Sequence, residues 1–313
     1  MTSFLNKLFH KKPSLNTTSS KPDVASEQFE TTNTNPNASI SKVQVPSILP
    51  TITHLEVPQL IVGVAQSVGI QRDHNEDSLF TLTTNLILDE KTVNFGLYII
   101  ADGMGGHDDG ELASSLAVGM LASHVINTLL VPLISASNNK LEFSIQEVMQ
   151  AGVMQAHQAI KKETDGGGTT LTAALILGDQ MTLTHVGDSR AYLIDPDGYM
   201  RLLTHDHSLV KRLEEIGQIS PEQALTHPQR NVLYRALGQG EPVEPDIASF
   251  QVFQGCQLLL CSDGLWGVIP DEKLADITRS PSAPQLVCQS LIHLANDAGG
   301  PDNISVIIVR ISD

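Results

Sequence analysis

A chain of 313 residues is long enough for one large domain with an extension, or for two small domains. Its hydrophobic share of 41% can supply a sizeable core, and its formal charge of −16 argues against a nucleic-acid partner, whose phosphates are held mainly by Lys and Arg. The three cysteines, Cys256, Cys261 and Cys288, form no CxxC pair, so a disulfide framework is not expected and a reducing, cytoplasmic compartment is.

Residues 1–12 set Phe4, Leu5, Leu8 and Phe9 on one helical face beside Lys7, Lys11 and Lys12. This stretch is too short and interrupted for a signal peptide. The expectation is a frayed terminus or a weak contact with a membrane surface or partner. No run reaches the roughly 18 apolar residues of a membrane span, so no transmembrane segment is expected. From 13 to about 50, Ser, Thr, Asn and Pro dominate and large apolar residues are few, too little to offset the entropy of ordering. The expected organisation is a disordered tail over 1–58 and a single domain over 59–313.

Within that domain, short β-branched runs bounded by Gly, Asp, Asn or Pro predict strands over 61–66, 79–83, 93–101, 170–177, 181–186, 191–194, 247–253, 257–261 and 304–311. Helical periodicity predicts a helix over 111–130, with Leu112, Leu116 and Met120 in one row and Ala113, Ala117 and Leu121 in the next. It predicts others over 144–162 and 283–295. Strands in consecutive runs with helix pairs inserted fit an α+β fold of two packed antiparallel sheets sandwiched between helix pairs, a four-layer αββα arrangement.

Acids gather where the most apolar strands begin or end. Asp102-Gly103, Asp263-Gly264 and Asp188 close such runs, while Glu76-Asp77 and Asp302-Asn303 open them. Any one of these is an ordinary turn residue. If they converge, mutual repulsion would raise their pKa values unless a cation intervenes. Carboxylate and carbonyl oxygens select hard cations such as Mg²⁺, Mn²⁺ or Ca²⁺; zinc would want His or Cys, and His205-Asp206-His207 lacks metalloprotease spacing. Two cations sharing one carboxylate make hydroxide available at neutral pH for in-line attack on phosphorus. Arg72, five residues before Asp77, is the candidate two-pronged partner for a phosphate.

The ordered set Arg72-Asp73-His74-Asn75-Glu76-Asp77-Ser78, Ala101-Asp102-Gly103-Met104-Gly105-Gly106-His107, Gly168-Thr169-Thr170, Val186-Gly187-Asp188-Ser189-Arg190-Ala191-Tyr192, Leu203-Thr204-His205-Asp206-His207-Ser208, Arg235-Ala236-Leu237-Gly238, Ser262-Asp263-Gly264 and Asp302-Asn303 resembles the metal-dependent protein phosphatases, the PPM or type 2C family, in its compact bacterial branch. The likeness covers about 60–312. It implies a phosphoserine/phosphothreonine protein phosphatase opposing kinases in signalling, using two Mg²⁺ or Mn²⁺ ions. Asp102 would bridge the ions, Glu76 and the Gly103 carbonyl would complete one, and Asp263 and Asp302 would hold the other. Asp77 would position metal waters, Arg72 would bind substrate phosphate, and Asp188 would serve a third, weaker ion.

Two departures qualify the transfer. Met104 follows the Asp-Gly pair where animal members carry a histidine, so the proton donor is expected to be His107 or a metal-bound water. Gly267 stands where members often carry a further acid, so a third cation site is expected to be weak or absent. Residues 207–235 resemble the flap beside the active site, which contributes to substrate choice, although a helical excursion over the sheet edge would read the same way. A catalytically silent phosphoprotein-binding module, or phosphodiester hydrolysis on the same metal pair, are the competing readings.

Overall fold

The computed structural model describes residues 59–88, 91–105, 108–135, 143–240 and 242–312. The expected tail, its proposed surface contact and His107 lie outside the described residues. In chain order, β1 (Gln59–Ser67), β2 (Asp77–Leu88) and β3 (Lys91–Met104) precede α1 (Asp108–Val125), a π-helical turn (Ile126–Leu130), α2 (Val131–Ile134) and α3 (Ile145–Glu163). Then come β4 (Gly168–Thr169), β5 (Leu171–Leu177), β6 (Gln180–Val186), β7 (Arg190–Ile194) and β8 (Met200–Leu202). They are followed by α4 (Leu209–Glu215), α5 (Pro221–Leu225), β9 (Asp246–Gln251), β10 (Gln257–Cys261), α6 (Asp263–Trp266), α7 (Asp271–Thr278), α8 (Pro284–Asp297) and β11 (Ile304–Ser312).

The strands form two antiparallel sheets, one ordered β1-β11-β10-β7-β8 and the other β2-β3-β5-β6-β9 with β4 beside β3. Three apolar layers follow from the period of two in each strand. Leu258 and Leu260 of β10, with Ile307 and Val309 of β11 and Tyr98 and Ile100 of β3, fill the space between the sheets. Leu259 and Cys261, with Val306 and Ile308, face α8 on the outside of the first sheet. Leu97, Ile99 and Ala101 face α1 and α3 on the outside of the second. Both faces of these central strands are covered, which is why they read as unbroken apolar runs rather than alternating ones. The observed α+β sandwich is the one expected.

In α1 the small row Ala113, Ala117 and Leu121 is fully buried, whereas Leu112 stays 41% exposed. Alanines let the helix lie close to β3, and the bulkier row caps the rim. Asp108–Ile134 runs as one helical segment of 27 residues that is long and apolar enough to cross a membrane by length and composition. Ala113, Ala117, Leu121 and Val125 nevertheless pack into the layer under α3. Pro132 cannot donate a backbone bond to the preceding turn, and the ladder widens into the π turn just before it.

Sequence patterning missed β4, β8 and the short helices, and underestimated β2 and β3. Those two pair along their whole length from Asp77↔Asp102 to Leu88↔Lys91, although polar residues such as Thr84 and Asn85 interrupt the pattern.

The outer edge of β1 is closed by a side chain. Gln285 of α8 accepts from Val64 N–H at 3.1 Å and donates to the Val64 carbonyl at 2.8 Å, mimicking a further strand. The close approach depends on Gly63, where a Cβ would lie 2.2 Å from the Pro284 carbonyl carbon. Gly63→Ala is expected to cost about 1–3 kcal/mol by overpacking, measured as a lower denaturation midpoint at unchanged slope.

Candidate active site

Antiparallel pairing brings the acidic strand ends to one edge of the sandwich. Asp102 ends β3 opposite Asp77 at the start of β2, and Asp302 precedes β11, whose first residues lie beside the end of β10 and Asp263. A cavity of about 210 Å³ opens there, lined by Arg72, Glu76, Asp102, Gly103, Asp188, Asp263 and Asp302, with Asn231 and Leu233 from the flap segment. Residues separated by more than two hundred positions thus share one small volume. Asp77 does not line it; it lies beneath, buried beside Asp102.

Each acid-bearing segment is fixed by its backbone. The Asp102 N–H donates to Thr170 Oγ1 at 2.9 Å, and its carbonyl accepts from Thr170 N–H at 2.9 Å and Thr169 Oγ1 at 2.8 Å. Asn303 Oδ1 accepts from Glu76 N–H at 2.8 Å, while its amide donates to the carbonyls of Val68 and His74, both at 2.9 Å. The Glu76 carbonyl accepts from Ser114 Oγ at 2.5 Å and Gly103 N–H at 3.2 Å. A Cβ on Gly103 would sit 2.2 Å from the Gly110 carbonyl, so only glycine lets α1 approach this strand end. Asp77 Oδ2 accepts from Ser305 Oγ at 2.7 Å and Ser262 Oγ at 2.8 Å. These serines, threonines and Asn303 were not recognised as supports from sequence. A hydroxyl inside an otherwise apolar strand, as in Leu-Cys-Ser-Asp or Ile-Ser-Val-Ile, was the available signal.

Electrostatics expose what the cluster needs. Burial, then the charges of Asp77 and Asp263, push the Asp102 carboxyl well above the usual carboxylate range. Asp188 is raised well above it by burial and then by Asp263. Burial pushes Asp77 up to about 7, and burial followed by the charge of Asp302 pushes Asp263 up to about 6. Among the described residues, Asp77 Oδ1 and Asp263 Oδ1 are buried with no hydrogen-bond partner. Crowded carboxylates with orphaned oxygens, beside Gly103 on the cavity wall, are a donor set for hard divalent cations, and the residues fit Mg²⁺ or Mn²⁺.

The raised values fix a sign. A carboxyl whose folded pKa exceeds its unfolded one contributes stability that is present below the unfolded value and lost as pH rises through the folded one. Chelator-treated protein is therefore expected to lose melting temperature as pH rises through about 6 to about 7. Mg²⁺ should raise the melting temperature more at about pH 8 than at about pH 5, because it competes with protons for the same oxygens. Differential scanning fluorimetry across pH, with and without Mg²⁺, checks both; an equal Mg²⁺ effect at the two pH values would count against the assignment.

Arg72 lies at the rim and donates from Nη2 to Asp302 Oδ2 at 2.7 Å. His74 bridges two acids, with Nε2 2.7 Å from Glu76 Oε1 and Nδ1 2.6 Å from Asp73 Oδ1; these hydrogen bonds, the one to Glu76 first, raise its pKa.

A second group, His205, His207 and Asp246, offers possible metal-ligating atoms within 4.8 Å of one another. Its geometry argues against an ion. Gly187 N–H donates to His207 Nδ1 at 3.0 Å, so the neutral ring carries its proton on Nε2 and has no lone pair to offer there. Arg235 already supplies the positive charge, its Nη1 2.7 Å from Asp246 Oδ1. The cluster instead anchors the flap. Tyr234 N–H donates to the His207 carbonyl at 2.9 Å, and Ser208 bridges to Leu233. The segment 207–235 therefore leaves and rejoins the domain at one point, carrying Asn231 and Leu233 onto the cavity wall.

Known proteins resemble this chain in sequence and fold. A family model described as Protein phosphatase 2C matches residues 73–299. The chain is 39% identical over 244 residues to the serine/threonine phosphatase stp of Listeria welshimeri, covering 77% of this chain and 92% of that one. It superposes on the crystal structure of the Mycobacterium tuberculosis serine/threonine phosphatase PstP/Ppp with a TM-score of 0.68 at 33% identity, covering 81% of this chain and 99% of that one. A structure of the PstP catalytic domain in complex with two manganese ions matches with a TM-score of 0.65 at 32% identity, over 82% of this chain and 100% of that one. The family match, the sequence identity and the fold agree, and the chain belongs to the bacterial PPM, or protein phosphatase 2C, family of serine/threonine phosphatases.

Proposed function

We propose that residues 59–313 form a phosphatase domain that hydrolyses phosphoserine and phosphothreonine in cytoplasmic proteins, opposing kinases in signalling, with residues 1–58 as an appended tail. The observation that carries this reading is the convergence of Glu76, Asp102, Asp188, Asp263 and Asp302 on a cavity whose rim holds Arg72. Asp102 would be shared between two ions, with Glu76 and the Gly103 carbonyl on one and Asp263 and Asp302 on the other; Asp188 would serve a third, weaker ion. When bound, such a pair supplies hydroxide at neutral pH and neutralises phosphate charge.

The chain's own residues do the rest. Arg72 would orient the phosphate by paired hydrogen bonds, releasing Asp302 as it does so. Asp77, held by Ser262 and Ser305, keeps an acceptor beneath Asp102 that can fix the orientation of water. Thr169, Thr170 and Asn303 keep the carboxylate-bearing backbone from relaxing apart when no cation is present. The flap residues Asn231 and Leu233 sit where a peptide flanking the phosphoresidue would pass.

Hydrolysis of a phosphothreonine peptide with Mn²⁺, with and without chelator, tests the reading. Turnover abolished by chelator supports it; no turnover with Mn²⁺, or preference for a phosphodiester, would sink it. His107 is proposed to protonate the leaving oxygen. His107→Asn should then slow phosphopeptide hydrolysis far more than hydrolysis of para-nitrophenyl phosphate, whose leaving group needs no proton. An equal loss on both substrates would remove His107 from that role.

A further inference from the structure

The chain contains a single tryptophan, and it lies three residues beyond Asp263, at the end of α6. Its indole does not point at the cavity floor. Trp266 Nε1–H donates to the backbone carbonyl of Asp188 at 3.0 Å, across 78 positions of sequence. The Arg190 guanidinium carbon lies 3.7 Å from the centroid of the same ring. Arg190 is itself locked: Nε and Nη2 take the two oxygens of Asp206 at 3.1 and 2.7 Å, and Nη1 donates to Tyr192 Oη at 3.2 Å. Tyr192 Oη in turn donates to Asp271 Oδ1 at 3.1 Å.

The remaining backbone of the 187–189 turn is held from other directions. Gly187 exchanges hydrogen bonds with His207, through its N–H to Nδ1 at 3.0 Å and its carbonyl to the His207 N–H at 2.7 Å. The Ser189 carbonyl accepts from Thr172 Oγ1 at 2.9 Å, and Ser189 Oγ pairs with Thr170 Oγ1 at 2.8 Å. Among the described residues, the Asp188 backbone takes one hydrogen bond from outside the turn, that from Trp266. The Asp188 carboxyl is buried beside the like charge of Asp263, so its placement depends on how this turn is held.

We propose that Trp266 is a positioning residue: its indole N–H, with the ring held flat by Arg190, ties the turn carrying Asp188 to the helix carrying Asp263, so that the two carboxylates keep a common aim into the cavity. The proposal rests on the phosphatase reading for its consequence, but the tie itself exists in the metal-free protein and is measured there. A change at either carboxylate is transmitted to the other because the strut between them is rigid on both sides. An aromatic ring clamped between a guanidinium and a protein wall loses little further entropy on making one more bond.

One tryptophan gives one indole N–H signal, so nuclear magnetic resonance of chelator-treated, isotope-labelled protein reads the bond directly. The indole proton is expected to exchange with solvent at least about tenfold more slowly than that of an exposed indole. Trp266→Phe keeps the stack under Arg190 and removes the donor; amide exchange over 186–190 should then quicken about tenfold, with exchange in β10 unchanged. Arg190→Lys keeps the charge and loses the planar clamp, and should quicken the same amides by less.

With Mn²⁺, Trp266→Phe is expected to raise the concentration needed for half-maximal activity several-fold while leaving KM for substrate unaltered. An indole proton that exchanges freely, or unaltered exchange over 186–190 in Trp266→Phe, would overturn the proposal whether or not the protein binds Mn²⁺. Failure of Mn²⁺ to support any turnover in the unmodified chain would instead strike the phosphatase reading, leaving the metal-free result to decide the tie.

Discussion

Asp263→Asn is expected to lower kcat roughly 10²–10³-fold, the range seen when one group that stabilises transition-state charge is removed. The amide keeps the shape of the side chain but loses its negative charge and one acceptor, so the ion shared with Asp302 should bind poorly. The metal-free fold should not suffer. Asp263 Oδ1 is a buried oxygen without a partner among the described residues, and burial together with the charge of Asp302 raises its pKa to about 6. Exchanging that carboxylate for a neutral amide relieves repulsion, so the melting temperature without metal should hold or rise, and the increment given by Mn²⁺ should shrink. Opposite movement of activity and metal-free stability distinguishes a functional carboxylate from a structural one. Full activity in Asp263→Asn would overturn the metal assignment.

Arg72→Ala is the second large effect. Charge-assisted hydrogen bonds contribute about 1.5–3 kcal/mol, so loss of the guanidinium should raise KM for a phosphopeptide about 10- to 100-fold. Its side chain is 45% exposed and its one ion pair among the described residues is to Asp302, so metal-free stability should change by no more than about 0.5 kcal/mol. Arg72→Lys should recover only part of the loss, because an ammonium cannot offer the planar two-pronged contact. If Lys restored activity fully, Arg72 would be acting through charge alone. If Ala left KM unmoved, the phosphate contact would have to come from another cation, such as Arg230, whose charge is felt by Asp263.

Much of this architecture was legible in the chain because its physics is local. A β-branched run such as Ile304-Ser305-Val306-Ile307-Ile308-Val309 can hardly be anything but a buried strand, and it is one. Helical periodicity over 144–162 marks α3, and the structure adds a capping box between Ser144 and Glu147 at its start. Where the reading fell short, tertiary packing overrode the pattern. The row Leu112, Leu116 and Met120 is the more apolar stripe of α1, yet the alanine row is the one buried, since close approach to β3 rewards small side chains over large ones. Thr84 and Asn85 lie beyond the strand predicted over 79–83 but sit inside the β2–β3 ladder, whose backbone pairing tolerates polar side chains at an open face.

The candidate site divides along the same line. Sequence alone determined which oxygens are present and that each stands at the mouth of a strand, because an acid followed by glycine after an apolar run is a local feature. It also determined the kind of cation such oxygens would take. Only the tertiary structure decided that they meet, that Asp77 lies beneath the cavity rather than on its wall, and that Ser262, Ser305, Asn303 and Trp266 hold the carboxylates in place. Support of that kind joins residues up to 235 positions apart, as between Val68 and Asn303, and depends on the pairing of strands across two sheets. No periodicity within a single segment can encode it.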